Sequence, residues 1–263
     1  MAEPGLAITA LYTSQVWARA GLAGAELFET ADARRVYAVT TAALAVMRRG
    51  RAPLATTLLH RHLMIDHLAR DATRIVEVAA GLSRRGAART ADPACRYVEV
   101  DLPHVVAHKR ALLERSPAGR AVLARSNYQL VAGDATAIEL APHAPDLVIA
   151  EGFAMYLDGP ARRRWLASVA ALPRARLVFD LVPDADEPPR GLSGRVLEAA
   201  MKRFTGGASF HRDARTRADV LGELRDAGFT DAVAYHAGDV ARAWDLPRAE
   251  VDTPMVVFAA RHA

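Results

Sequence analysis

One segment of this chain constrains its fold more than any other. Residues 73–86 pair an apolar strand with a glycine turn and a short helix, and residues 97–103 supply a second strand that ends in Asp101. A glycine turn lets a ligand approach the backbone closely. A carboxylate at the next strand end can accept hydrogen bonds from both hydroxyls of a ribose. Together the two features predict a site for a nucleoside-containing cofactor.

The rest of the chain continues this alternation of strands and helices. Strands are predicted at 74–80, 96–101, 127–132, 146–151, 176–182, 232–236 and 255–261, and helices at 83–89, 103–115, 160–172, 192–204 and 215–227. Strands that alternate with helices indicate an α/β fold, a doubly wound and mostly parallel sheet with helices on both faces. The last two strands close the chain, and we expect them to form an added pair beside the outermost parallel strand.

The first seventy residues are expected to form a helical cap, residues 1–71. Apolar residues recur at three- and four-residue spacing in 33–47 and 54–68, and Thr30 and Asp32 are candidate helix caps. Residues 72–263 are then the cofactor-binding domain. Within it, a polar, proline-rich stretch predicts a substrate-facing insertion near 183–214.

Composition excludes several classes of protein. The 263 residues are 51% hydrophobic and 24% charged, with a net charge of +4, and the arginines are dispersed among acids, so no nucleic-acid partner is expected. Cys95 is the only cysteine, which predicts no disulfide framework and no cysteine metal cluster. Neither a signal peptide nor a membrane-spanning stretch is apparent, so we expect a cytoplasmic protein without a membrane partner.

Acids at the strand ends narrow the choice of cofactor. Asp101, Asp134 and Glu151 each follow a predicted strand, and ligands of open parallel sheets bind at that edge. A dinucleotide pyrophosphate favours backbone amides with few carboxylates nearby, whereas S-adenosylmethionine brings a sulfonium and an ammonium. We therefore predict that Asp101 holds the ribose, Asp134 the adenine amino group, and Glu151 the methionine end of S-adenosylmethionine.

The order of several short motifs resembles a known family. These are residues 61–66 (RHLMID), 75–83 (IVEVAAGLS), 97–103 (YVEVDLP), 131–134 (VAGD) and 150–157 (AEGFAMYL). Together they resemble the leucine carboxyl methyltransferase family, and in particular its bacterial branch of small-molecule O-methyltransferases, which includes enzymes of polyketide biosynthesis.

The resemblance implies a seven-stranded class I methyltransferase fold with a helical N-terminal cap and no required metal. It also implies that Arg61 pairs with the carboxylate of S-adenosylmethionine, for which a bidentate guanidinium is suited. The motif positions expected to contact the cofactor are Arg61, Glu77, Ala79, Gly81, Asp101, Leu102, Asp134, Ala135 and Glu151. Ala79 departs from the family pattern, which usually has glycine there.

Candidates for catalysis depend on the acceptor. A carboxylate is already ionised at neutral pH, whereas a phenol, with a pKa of about 10, benefits from a general base. The candidate catalytic residues are His62, Tyr156 and His211. Trp17, Tyr12 and Phe28 of the cap are candidates for either an apolar acceptor pocket or the core.

The predicted function is thus an S-adenosylmethionine-dependent O-methyltransferase that acts on a carboxylate or phenol of a small metabolite, in secondary metabolism. Two alternatives stay open. An NAD(P)-dependent oxidoreductase shares the glycine turn and the acid about twenty residues later, and a cyclase-like protein could bind the cofactor on the same scaffold without methyl transfer.

Overall fold

The computed structural model of the protein describes residues 8–47, 53–181 and 215–262. Its seven strands are β1 (Arg74–Val78), β2 (Arg96–Asp101), β3 (Tyr128–Ala132), β4 (Leu147–Ala150), β5 (Arg176–Asp180), β6 (Asp231–His236) and β7 (Val256–Arg261). The predicted helix at 192–204, the insertion near 183–214 and the candidate His211 lie outside the described residues.

All seven strands belong to one sheet with the order β3-β2-β1-β4-β5-β7-β6. Strands β1 to β5 run parallel, and β7 is antiparallel to both of its neighbours. The predicted fold class, a doubly wound and mostly parallel sheet, is therefore confirmed. The order changes direction between β1 and β4, and this switch point is where ligands of such sheets bind.

The helices of the described ranges are α1 (Ile8–Arg19), α2 (Ala31–Met47), α3 (Leu54–Leu68), α4 (Arg85–Arg89), α5 (Pro103–Glu114), α6 (Pro117–Leu123), α7 (Gly159–Ala170), α8 (Arg217–Asp226) and α9 (Ala237–Val240). The sequence analysis did not predict α6 or α9. A local signal for α6 was present, because the Ser116 side chain accepts a hydrogen bond from the Gly119 amide and Pro117 follows it.

Each face of the sheet buries its own apolar layer. Along β1, Val76 and Val78 pack under α7 and α8, whereas Ile75 packs on the opposite face with residues of α3 and α5. This alternation is what a parallel sheet covered on both sides requires. Glu77 follows the same alternation and so points into the α3 face, where its side chain is fully buried.

The helices before β1 pack directly on the sheet. Met64 and Ile65 of α3 are fully buried in the same apolar layer as Ile75. At the start of α2, the Ala33 amide donates a hydrogen bond to Thr30 Oγ1 at 2.9 Å, so Thr30 is the cap that the sequence indicated. The division of the chain into a cap and a cofactor domain at residue 71 remains a prediction, since α3 shares its core with the sheet.

None of the helices within the described ranges is long and apolar enough to cross a lipid bilayer.

Candidate cofactor and active site

Strand topology brings the predicted acids to one edge of the sheet. Asp101 ends β2, Asp134 lies just beyond β3, and Glu151 directly follows β4. These strands are parallel and flank β1 on both sides, so all three carboxyl ends meet at the edge that contains the switch point.

The glycine turn after β1 is held to the end of β2. The Gly81 amide donates to Asp101 Oδ2 at 2.6 Å, and the Ala80 amide donates to the Val100 carbonyl at 3.3 Å. Ala79 and Gly81 both have a φ of 51°, in the left-handed region. Glycine adopts this region without penalty, but Ala79 carries a Cβ there and is strained. The glycine that the family usually has at this position therefore has a backbone reason.

Asp101 keeps the accepting capacity that its predicted role toward a ribose would use. Its Oδ2 accepts from the Gly81 amide, and its Oδ1 accepts from the Leu102 amide at 2.7 Å. A carboxylate oxygen has two lone pairs, so each oxygen can accept one further hydrogen bond, which matches two neighbouring hydroxyls. Burial raises the pKa of Asp101, while the two backbone amides oppose that shift. Leu102 beside it is exposed and can cover a bound ligand.

Asp134 and Ala135 lie on the neighbouring loop. Asp134 Oδ1 accepts hydrogen bonds from the amide and the hydroxyl of Thr136, both at 2.8 Å. These two bonds lower the pKa of Asp134. The loop is held to the end of β2, because the Gly133 amide donates to the Asp101 carbonyl at 2.8 Å. The Asp134 side chain is exposed, and the role of Asp134 toward an adenine amino group remains a prediction.

Lys109 of α5 supports the glycine turn from inside the molecule. Its ammonium donates to the Ser83 carbonyl at 2.7 Å and pairs with Glu99 at 2.5 Å. Burial raises the pKa of Glu99 to about 7, although the attraction of Lys109 opposes that shift. Nothing in the sequence pattern marked this buried pair, since both residues lie within otherwise ordinary elements.

Glu151 lies at the centre of a buried ionic cluster and is almost fully enclosed. Its Oε1 accepts from Arg61 Nε at 2.8 Å, and its Oε2 lies 2.9 Å from His62 Nδ1 and 2.7 Å from Arg85 Nη1. Burial disfavours its charge, but the neighbouring cations, Arg85 foremost, hold the pKa of Glu151 well below its usual value. Glu151 therefore stays ionised and fixes residues of α3 and α4 to the end of β4.

The tautomer of His62 follows from its neighbours. Arg84 Nε donates to His62 Nε2 at 3.1 Å, and arginine can only donate. His62 Nδ1 therefore carries the proton and donates to Glu151, while Trp17 stacks on the ring at 4.2 Å between centroids. Burial lowers the pKa of His62. The ring is neutral in this arrangement, and both of its nitrogens are engaged.

Glu77 belongs to the far side of the same cluster. Its carboxylate accepts from Arg85 Nη1 at 2.8 Å and from the Tyr97 hydroxyl at 2.8 Å, and its side chain is buried in the α3 face. Arg85 also pairs with Asp66 at 2.5 Å. Glu77 thus lies inside β1, before the strand end, and its contacts hold Arg85, which in turn binds Glu151.

Tyr156 and Asp180 lie at the carboxyl ends of β4 and β5, next to Glu151. Tyr156 lies in a short 3-10 helix after β4 and forms a side-chain hydrogen bond with Thr9 of α1; burial raises its pKa. Asp180 ends β5 and contacts Arg61. Asp180 was not predicted to belong to the site, because the strand was expected to run from 176 to 182, whereas it ends at Asp180.

Comparison with known proteins decides the family. The sequence profile of leucine carboxyl methyltransferases matches residues 19–170, more than half of the chain. The chain belongs to the leucine carboxyl methyltransferase family. This confirms the predicted resemblance, and with it the predicted cofactor, S-adenosylmethionine. A search of curated protein sequences found no match.

Solved structures share the fold of this family member at low sequence identity. A protein from Bordetella parapertussis is 16% identical, with 97% of this chain and 95% of that chain covered and a TM-score of 0.57. The pyocyanin biosynthetic protein PhzM is 21% identical over 97% and 69% of the two chains, with a TM-score of 0.54. For PigF with SAH the identity is 14% and the TM-score 0.52, and the aligned part is 80% of this chain but only 55% of PigF.

Ala79→Gly is expected to stabilise this methyltransferase-family protein by about 1 kcal/mol. Glycine relieves the left-handed strain, while its larger unfolded-state entropy offsets part of the gain. Chemical denaturation measures the change. Ala144→Gly is a matched control, because Ala144 also has a left-handed φ of 45° but lies at the opposite end of β4. We expect both variants to gain stability and only Ala79→Gly to change the affinity for S-adenosylhomocysteine. A loss of stability in Ala79→Gly would contradict the strain at this turn.

Asp101→Asn is expected to weaken S-adenosylhomocysteine binding by about 1.5–3 kcal/mol, the scale of hydrogen bonds to a charged group. The fold should persist, because the asparagine oxygen can keep the hydrogen bond from the Gly81 amide, and the bond that is lost, from the Leu102 amide, is exposed. Isothermal titration calorimetry measures the affinity. Asp71→Asn is the control, since Asp71 is an exposed acid that pairs with Arg176 at the other end of the sheet. Equal affinity of the Asp101 variant and the unaltered protein would remove Asp101 from the site.

Proposed function

We propose that this protein is an S-adenosylmethionine-dependent O-methyltransferase that methylates a carboxylate or phenolic oxygen of a small metabolite. The observation that carries the proposal is Asp101, whose two oxygens each retain one accepting position at the switch point of a methyltransferase-family sheet.

The residues at the strand ends fit the cofactor. When bound, S-adenosylmethionine supplies an electrophilic methyl group on a sulfonium sulfur. Asp101 would hold the two ribose hydroxyls, and Asp134 the adenine amino group. Arg61 would hold the carboxylate of the methionine end, and Glu151 would keep Arg61 in place through its 2.8 Å bond to Nε.

Charge at the site favours this cofactor over a dinucleotide. Around Glu151, three guanidinium groups, those of Arg61, Arg84 and Arg85, face four carboxylates, those of Asp66, Glu77, Glu151 and Asp180. The cluster thus has no excess positive charge to offer a pyrophosphate. A ligand with a sulfonium and an ammonium is the better electrostatic match.

The protein's main contribution to catalysis would be alignment. Methyl transfer needs the nucleophile, the methyl carbon and the sulfur in line, so positioning supplies much of the rate enhancement. Tyr156 is close enough to Arg61 and Asp180 to be influenced by both charges. Because burial raises its pKa, its hydroxyl stays protonated, so we infer that Tyr156 orients an acceptor oxygen by donating a hydrogen bond.

His62 is better suited to positioning than to proton abstraction. Its Nε2 lone pair accepts from Arg84, and its proton is donated to Glu151. Among the described residues of the cluster, it therefore offers no free base. This arrangement favours an acceptor that is already ionised, as a carboxylate is. His211 keeps its predicted role as a candidate base for a phenol.

The setting in small-molecule biosynthesis is also part of the proposal. PhzM is described as a biosynthetic protein of pyocyanin, and its fold covers 97% of this chain. We infer that residues 183–214 contribute to the acceptor pocket, and that a metabolite of secondary metabolism, such as a polyketide acid, is the substrate.

Turnover with a panel of aromatic and aliphatic carboxylic acids and phenols tests the function. The expected result is one S-adenosylhomocysteine per methylated product, measured by mass spectrometry. For a carboxylic acid the rate should be flat from about pH 6 to 8, because the acid is ionised throughout, whereas for a phenol it should rise.

Two outcomes would contradict the proposal. Cofactor binding without S-adenosylhomocysteine formation from any acceptor would favour the non-methylating alternative. Binding of NADH with micromolar affinity and no binding of S-adenosylmethionine would favour the oxidoreductase.

Tyr156→Phe, which retains the ring and loses the hydroxyl, should lower kcat more than cofactor affinity.

A further inference from the structure

Asp180 is a buried acid to which the proposed function has so far given no role in cofactor binding or methyl transfer. It is the last residue of β5, and its side chain has no solvent exposure. The register of β4 and β5 pairs Ala150 with Phe179, so Glu151 and Asp180 lie side by side at the strand ends. Burial raises the pKa of Asp180, and the charge of Arg61 opposes that shift. Burying a carboxylate in this position costs desolvation free energy, which only well-placed hydrogen-bond and ion-pair partners can offset.

Both oxygens of Asp180 are used, and both partners lie at the candidate methionine end. Oδ1 accepts from the Gly152 amide at 2.5 Å, and Oδ2 accepts from Arg61 Nη1 at 3.4 Å. One side chain thus holds the turn after β4 and the guanidinium of α3.

The turn and the guanidinium also fit each other closely. Gly152 has a φ of 66°, and a Cβ placed on it would lie 3.4 Å from Arg61 Nη1 and 3.6 Å from Nη2. The guanidinium therefore lies across the bare backbone of Gly152. A shift of the turn would move the guanidinium with it.

Arg61 is restrained from two sides. Its Nε is bonded to Glu151 and its Nη1 to Asp180. Within the described part of the chain, Nη2 forms no hydrogen bond. An arginine held in this way has lost its rotamer freedom before the ligand arrives, so less entropy is lost on binding.

We propose that Asp180 is a positioning residue: it fixes Arg61 and the Gly152 turn so that Nη2 is presented to the carboxylate of the cofactor's amino-acid end. The inference rests on the proposed function. It makes Asp180 specific for one part of the ligand, the amino-acid end, and leaves the nucleoside part to Asp101.

Two ligands separate these parts. S-adenosylhomocysteine has the nucleoside and the amino-acid end, whereas 5′-methylthioadenosine has the nucleoside and a methylthio group but no amino-acid end. By calorimetry, Asp180→Asn should weaken S-adenosylhomocysteine binding about 10-fold or more and change 5′-methylthioadenosine binding less than about twofold. In an Arg61→Ala background, Asp180→Asn should add little, because its effect acts through Arg61.

Asp146→Asn is the matched control. Asp146 also accepts backbone amides, those of Thr73 and Arg74, but it lies at the opposite end of β4. It should change neither affinity. If Asp180→Asn does not fold, Gly152→Ala provides the second variant, because a Cβ at the left-handed φ of 66° strains the turn that Asp180 holds, and the same ligand-selective loss is expected.

Unchanged S-adenosylhomocysteine affinity in a folded Asp180 or Gly152 variant would overturn the inference. An equal loss for both ligands would overturn it too, because a general collapse of the site would then explain the result. Failure of the unaltered protein to bind either ligand would instead remove the proposed function, and this inference with it.

Discussion

The contact on which the site depends is the ion pair between Arg61 and Glu151. It joins α3, in the N-terminal helices, to the end of β4, at 2.8 Å and almost out of contact with water. Burial of two charges is expensive, and an isolated pair of this kind seldom stabilises a fold. Here the cost is shared, since His62 and Arg85 also bind Glu151. The cluster makes the position of α3 relative to the strand ends specific, and the candidate cofactor site needs that position.

Two different kinds of interaction hold the residues at the carboxyl ends of the strands. On the β2 side, Asp101 is held by backbone amides of the glycine turn, and Lys109 holds that turn from behind. On the β4–β5 side, side-chain charges hold one another. The first arrangement leaves a carboxylate with accepting capacity, and in the second the Nη2 of Arg61 has no hydrogen-bond partner among the described residues. These suit the opposite ends of one ligand, a ribose and an amino-acid carboxylate.

The sequence predicted the sheet and the edge of the site well, because alternation and strand-end acids are local signals. Asp101 and Glu151 could be found from their positions alone. The side on which Glu77 lies could also have been predicted, because residues two apart in a strand share a face and Ile75 faces the α3 layer. The contacts of Arg85 with Glu151 and of Asp180 with Arg61 could not be predicted from the sequence, because they depend on strand register and helix packing. The helix α6 was missed although Ser116 and Pro117 form a local start signal.

A crystal structure with bound S-adenosylhomocysteine tests the central claim most directly. We expect the two ribose hydroxyls about 3 Å from the two oxygens of Asp101, and the ligand carboxylate on Arg61, with the bond between Arg61 and Glu151 retained. A ligand bound away from this edge, or an Arg61 that leaves Glu151 to reach it, would contradict the claim that the strand ends and α3 form a site prepared in advance.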